Sequence, residues 1–169
     1  MNFEHFQKLV GMMFVPGEEG SPQERYSSVD VANISPLVTA YVGDAYFHLF
    51  VRGRLLSYEQ NKVQVLNNFS AQMVSAVWQA KAYRAIEPML TEEEKGIFRR
   101  GRNAHSHAPR KSSVHEYHMS TGFEALLGNL YLTNRQERLY EIAEAAFQAI
   151  AKEMIKETEG QAGGGTQND

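Results

Sequence analysis

The chain has 169 residues, 43% of them hydrophobic and 22% charged, enough for one domain with a real core and too few for two comfortable ones. Its formal net charge is -3, a balance that taken alone argues against a dedicated nucleic-acid binder, whose domains usually run basic. It has no cysteine, which excludes a disulfide framework, a thiolate zinc site and a cysteine nucleophile.

From the N-terminus, apolar residues at Phe3, Phe6, Leu9, Val10 and Met13 predict an amphipathic helix over Phe3 to Phe14. Pro16 and Gly17 stop it, and GEEGSPQERYSS reads as a turn-rich connector, so residues 1–34 form an N-terminal extension. With Glu4 and no basic run, that start reads poorly as a signal peptide, and no apolar run is long enough to span a bilayer. A cytoplasmic protein with no membrane partner is the expectation.

Ser35-Pro36 opens the second helix, since serine caps free N–H groups and proline in the first turn gives up no bond. This helix is predicted to reach about Leu56, with Gly53 a weak point. Val63, Leu66, Phe69, Met73, Val77 and Trp78 then predict one helix from Asn61 to Ile86, closed by Glu87-Pro88. Thr91-Glu92-Glu93-Glu94 is a capping box for a helix towards Asn103, and His105 to Lys111 is a loop containing Pro109. A helix follows over Val114 to Leu132, and Asn134-Arg135-Gln136-Glu137 reads as another capping box, opening a last helix to about Ile155. The ending GQAGGGTQND is of low complexity. The expectation is an all-α protein with one domain over 35–156 and a disordered tail over 157–169.

Two carboxylates stand out. On the second helix Leu37, Tyr41, Asp44, His48, Val51 and Leu55 share a stripe, which puts Asp44 in the middle of a largely apolar face. An unpaired carboxylate there would have its pKa raised by up to ~3–5 units, so something positive should lie beside it. A structural ion pair would answer that need. Glu124 is likewise embedded in TGFEALLGNLYL, with Gly128 one turn on to allow a close approach. Two such carboxylates on separate apolar helices suggest a shared divalent cation, and Mg²⁺ suits one or two carboxylates completed by water and substrate phosphate. Metal-assisted phosphodiester hydrolysis follows. Tyr41 and Thr121, each one turn before a carboxylate, are expected to support the pair.

Positive charge gathers in Lys95, Arg99, Arg100, Arg102, Arg110 and Lys111, with Asn103, Ser106, Ser112 and Ser113 as hydrogen-bonding groups suited to phosphate and sugar. Charges at a helix C-terminus account for Arg99 to Arg102 but not for Arg110 and Lys111, so phosphate binding is the expectation. His105, His107, His115 and His118 lack the spacing of a helical zinc motif and read as solvated or RNA-facing. Neither phosphate-cradling glycine loop nor a nucleophile-elbow serine is present.

AYVGDAYFHLFVRGRLL and GFEALLGNLYL together resemble the two catalytic signatures of the ribonuclease III family, and MVSAVWQAKAY and FRRGRNAHS between them look like segments of its short Mini-III branch in the same order. The resemblance covers roughly Leu37 to Ile150. It implies a helical catalytic domain that forms a homodimer, with Asp44 and Glu124 as the metal-binding catalytic carboxylates and Lys95 to Lys111 gripping RNA. It further implies hydrolysis of double-stranded RNA with Mg²⁺, or Mn²⁺ in its place, leaving 5′-phosphate and 3′-hydroxyl ends. The substrate it implies is precursor 23S ribosomal RNA, with a ribosomal protein as a further conceivable partner. Two further acids of the long enzymes correspond here to Ala40 and Thr121. That departure keeps alive a second reading, a non-catalytic ribonuclease III-fold RNA-binding or ribosomal scaffold subunit.

Overall fold

Seven α-helices organise the residues described in the computed structural model, namely 3–13, 30–104 and 113–163, and among them there is no strand. They fall into two units, 1–30 and 31–169. In the first, α1 (Phe3–Met13) leaves Phe3, Phe6 and Leu9 exposed.

The second unit is built around α6 (Val114–Leu132). Its middle is buried on nearly every side, the mark of a helix enclosed by others: Phe123, Leu126, Leu127 and Leu130 have no exposed surface. The helices α2 (Pro36–Leu55), α4 (Ala76–Ile86), α5 (Glu92–Arg102) and α7 (Gln136–Gly163) all pack on it, α2 most extensively. Phe47 of α2 meets Phe123 edge to face at 5.1 Å between ring centroids, and Tyr83 of α4 stacks flat on Phe98 of α5.

Capping follows the sequence closely in most places. Ser35 accepts from the Leu37 amide with Pro36 in the first turn, and Thr91 and Glu94 form the expected reciprocal box. Ser113 forms a second such box with Glu116, so this serine caps α6 and is spent there rather than on phosphate.

Three expectations are corrected. The predicted helix over Asn61 to Ile86 is two, α3 (Val63–Met73) and α4, because Ser75 is extended (φ -68°, ψ 153°) and starts a new helix. Asn134 ends α6 and does not open α7. Its φ is +57°, its N–H donates to the Tyr131 carbonyl (3.0 Å), and the Arg135 N–H reaches back to Leu130 (2.9 Å), the Schellman pattern of a helix C-terminus. Finally, α7 runs through residues 157–163, which composition assigns to the tail. There Glu157 pairs with Lys81 of α4, whose ammonium also lies 4.1 Å over the Trp78 ring.

Glu94 does more than cap. Its side chain is completely buried, and Arg138 of α7 donates to both of its oxygens (2.8 and 2.9 Å) and to the Met89 carbonyl (2.8 Å). The Arg138 bonds and the Thr91 amide hold the Glu94 carboxyl down at about 2.

Candidate active site

The site begins where α2 crosses α6. A Cβ added to Gly43 would lie 1.8 Å from the Glu124 carbonyl oxygen, and one added to Gly128 would lie 1.8 Å from the Thr39 carbonyl oxygen. The two helices therefore touch backbone to backbone, as only glycine at both positions permits. Asp44 follows Gly43 directly, so the crossing that brings Gly43 onto Glu124 also brings the two carboxylates to one place.

The buried face of α2 is Thr39, Ala40, Gly43, Phe47 and Val51. The stripe expected to be buried is displaced from it: Tyr41 is 77% exposed, and the Asp44 side chain, at 48%, flanks the seam and does not sit in the middle of it. Its one ion-pair contact among the described residues is His48 Nε2, 3.3 Å away one turn on. Glu124 is more enclosed. Burial, and then the negative charge of Asp44, push its carboxyl up to about 8, while the Gln79 amide acts as a hydrogen-bond partner in the opposite direction.

Among the described residues no lysine or arginine forms an ion pair with either carboxylate. Among the described residues, then, the positive neighbour that the sequence calls for is not a lysine or an arginine. Two carboxylate oxygen donors, one enclosed and one open to solvent, fit a hard divalent cation. They stand as a pair, since no group of three or more metal-ligating side chains forms among the described residues. Ala40 and Thr121 are both buried and add no carboxylate. The Thr121 hydroxyl donates to the Tyr117 carbonyl of its own helix (2.9 Å), so neither it nor the outward Tyr41 is hydrogen-bonded to the pair.

The basic segment is partly assembled. Arg99 and Arg100 are exposed at the end of α5, and Arg102 Nε donates to Asn103 Oδ1 (3.2 Å). Lys95 is drawn back to Glu92 (3.0 Å). Arg110 and Lys111 lie outside the described residues, as do His105, His107, Ser106 and Ser112. His115 is exposed, and half-buried His118 keeps an unpartnered Nδ1.

Sequence reasoning missed two residues here. Gly43 carries a signal of its own, a glycine inside a helix directly before the odd carboxylate. Gln79 carries almost none: in AVWQAKAY a glutamine costs nothing to expose, yet it is 1% exposed.

Comparison with known proteins settles the lineage. The Ribonuclease III domain model matches residues 37–135, more than half of the chain and the stretch that holds both carboxylates. The chain belongs to the ribonuclease III family. Within that family it is 44% identical over 120 residues to Mini-ribonuclease 3 of Symbiobacterium thermophilum, covering 70% of this chain and 92% of the relative. It is 42% identical to Mini-ribonuclease 3 of a Thermoanaerobacter species, covering 71% and 85%. A crystal structure of a Fusobacterium nucleatum protein superposes with a TM-score of 0.64 at 32% identity, over 72% of this chain and 98% of that one. The ribonuclease III match ends at Arg135, where α6 has turned over into α7. The all-α, ribonuclease III-like expectation stands.

Proposed function

We propose that this protein is a Mini-III-type endoribonuclease that hydrolyses double-stranded RNA with Mg²⁺, or Mn²⁺ in its place, to 5′-phosphate and 3′-hydroxyl ends. The observation that carries the reading is Glu124: an enclosed carboxylate beside a second one, Asp44, with no lysine or arginine among the described residues paired to either. Asp44 and Glu124 would hold the cation, which when bound makes a water more acidic and polarises a phosphoryl oxygen. Asp44, on the open flank of α2, faces the solvent from which a phosphodiester arrives, while Glu124 anchors the site from within. Arg99 and Arg100, exposed at the α5 terminus, are suited to backbone phosphates, and recognition would rest on duplex shape and phosphates more than on sequence.

Precursor 23S ribosomal RNA is the substrate this reading favours, with the cytoplasm as its location. The kinship with Mini-ribonuclease 3 supports it, and no helix among the described residues is long and apolar enough to cross a membrane. A homodimer is part of the same reading. Val38, Tyr41 and Leu49 give α2 an exposed apolar stripe beside the site.

The test is incubation with a plain RNA duplex and Mg²⁺. Wild type should cleave it, and Asp44→Asn and Glu124→Gln should each lose ~10³-fold or more, about 4 kcal/mol in the barrier, while keeping the helical circular-dichroism spectrum. Undiminished cleavage by Asp44→Asn would refute the site. An inert wild type across metals and salts would favour the scaffold reading that Ala40 and Thr121 leave standing.

A further inference from the structure

The first half of α7 repeats a short pattern: Glu144-x-x-Phe147 is preceded by Glu137-x-x-Tyr140. The two pairs stand about two helical turns apart, on one side of the helix. At the later pair an arginine is seated. Arg54 of α2 donates from Nη2 to Glu144 Oε1 (2.8 Å), and its guanidinium lies over the Phe147 ring, 5.7 Å from the centroid. Ring and carboxylate hold one cation between them, a combination that suits the flat face and forked N–H groups of arginine better than lysine. The earlier pair has the same parts and, among the described residues, no cation. Glu137 is exposed and in no ion pair among them, and Tyr140 is 53% exposed with no cation over its ring. A row of rings joins the two places. Phe50 of α2 meets Phe147 and Tyr140 edge to face at 6.4 and 5.6 Å, and stacks on Tyr46 at 6.2 Å. Glu141, next to Tyr140, is paired with Arg138, whose other bonds go to buried Glu94. The unpaired charge left beside Tyr140 is therefore negative.

We propose that Glu137 and Tyr140 form a docking point for an arginine of a partner protein, received as Arg54 is received by Glu144 and Phe147. The occupant is a basic, arginine-bearing segment, since lysine would forgo the stacked contact and the fork. Nucleic acid does not suit this face, because an unpaired Glu137 repels phosphate. An acid in the first turn of α7 also favours the helix N-terminus. That accounts for the charge at 137 but not for the exposed ring one turn on. Aromatic rings and arginines are the residue types that most often carry the binding energy of protein interfaces, and here the ring stands ready with its carboxylate beside it.

The experiment follows the fluorescence anisotropy of a fluorescein-labelled peptide of alternating arginine and glycine, titrated with the full-length, RNA-free protein. A second peptide has lysine in place of every arginine. The arginine peptide should bind, and the lysine peptide should bind ~10-fold more weakly. Tyr140→Leu, which keeps apolar bulk and removes the ring, should weaken the arginine peptide by ~10-fold, and Glu137→Gln by a similar factor. Glu153→Gln, the same change of charge farther along α7, should leave its binding at the wild-type level. Equal affinity for the two peptides, or equal losses from Glu137→Gln and Glu153→Gln, would reduce the contact to attraction by an acidic chain and overturn the proposal. An arginine peptide that does not bind at all would overturn it as well. So would an affinity that falls as light scattering moves from the single chain mass to twice that mass, because a second copy would then cover the face.

Discussion

Glu124 gives the site its pH behaviour. Its carboxyl, raised from 4.5 to about 8, keeps a proton in the folded, cation-free protein over a range in which the unfolded chain has released it. The folded state therefore binds more protons than the unfolded one, and the stability owed to this group is complete below 4.5 and is lost as the pH climbs to about 8. Glu94 works in the opposite sense. Held at about 2 by Arg138, it stabilises above 4.5 and loses that contribution as the pH falls towards 2. The two windows do not overlap, so calorimetry from about pH 5 to about pH 8 in chelator, with Glu124→Gln beside wild type, reads Glu124 and not Glu94. Wild type should lose melting temperature across that range, Glu124→Gln should lose less, and Mg²⁺ should restore wild type most at the alkaline end. Parallel profiles for the two proteins would contradict this assignment. Both carboxylates were legible in the sequence, because a lone acid among apolar helical neighbours is costly wherever it ends up. The exposure of Asp44 was not, since a residue at the flank of a helix seam and one at its centre differ by a rotation that periodicity resolves poorly. Gln79 was invisible for a related reason, its burial being decided by how α4 packs.

At the scale of elements, the α2–α6 crossing is the feature on which the site depends, and its two glycines are not equivalent to the others. Gly43→Ala would gain up to ~1 kcal/mol of helix propensity. However, its methyl would stand 1.8 Å from a backbone carbonyl oxygen, a clash that no rotamer relieves. Overpacking of this kind costs ~1–3 kcal/mol and here requires the helices to separate. Gly53, in the same helix, would have nothing within 4 Å of its added Cβ. Urea denaturation should accordingly show Gly43→Ala and Gly128→Ala destabilised, with weaker cleavage, and Gly53→Ala neutral or stabilised by up to ~1 kcal/mol. Equal effects at Gly43 and Gly53 would mean that the two helices do not meet backbone to backbone. Helix boundaries show where local signals mislead. Asn-Arg-Gln-Glu at 134–137 satisfies the capping-box pattern, but asparagine also tolerates the left-handed backbone, and the chain uses Asn134 for that. Val74-Ser75 contains no glycine or proline to announce a break, so nothing local marks the division of α3 from α4. The Thr91 box, whose Glu94 is also the buried partner of Arg138, shows one residue serving both its helix and the junction with α7.

For the whole molecule, the net charge of -3 fits RNA binding only if charge is segregated. Arg99 and Arg100 are exposed at the end of α5, acids are concentrated in α7, and Asp44 and Glu124 would be offset by the proposed cation. A second copy of the chain would lengthen the surface offered to a duplex, and α2 offers a way to recruit one. Val38, Tyr41, Ala45 and Leu49 recur at three- and four-residue steps on the side opposite the α6 seam, and Val38, Tyr41 and Leu49 are 51%, 77% and 72% exposed. An apolar stripe this long is seldom left to water. Paired with its own copy across a two-fold axis, it would place two Asp44–Glu124 sites beside one continuous face. Each substitution in such an interface occurs twice, so Leu49→Asp would bring two carboxylates into apolar contact and should weaken association by ~10²-fold or more, about 3 kcal/mol. Light scattering should give twice the chain mass for wild type and the single mass for Leu49→Asp at micromolar concentration. Duplex cleavage should fall with dimerisation, while Mn²⁺ uptake per chain, set within each α2–α6 crossing, should hold. A wild-type monomer that cleaves at full rate would separate the catalytic pair from the dimer, and leave the α2 stripe in need of another partner.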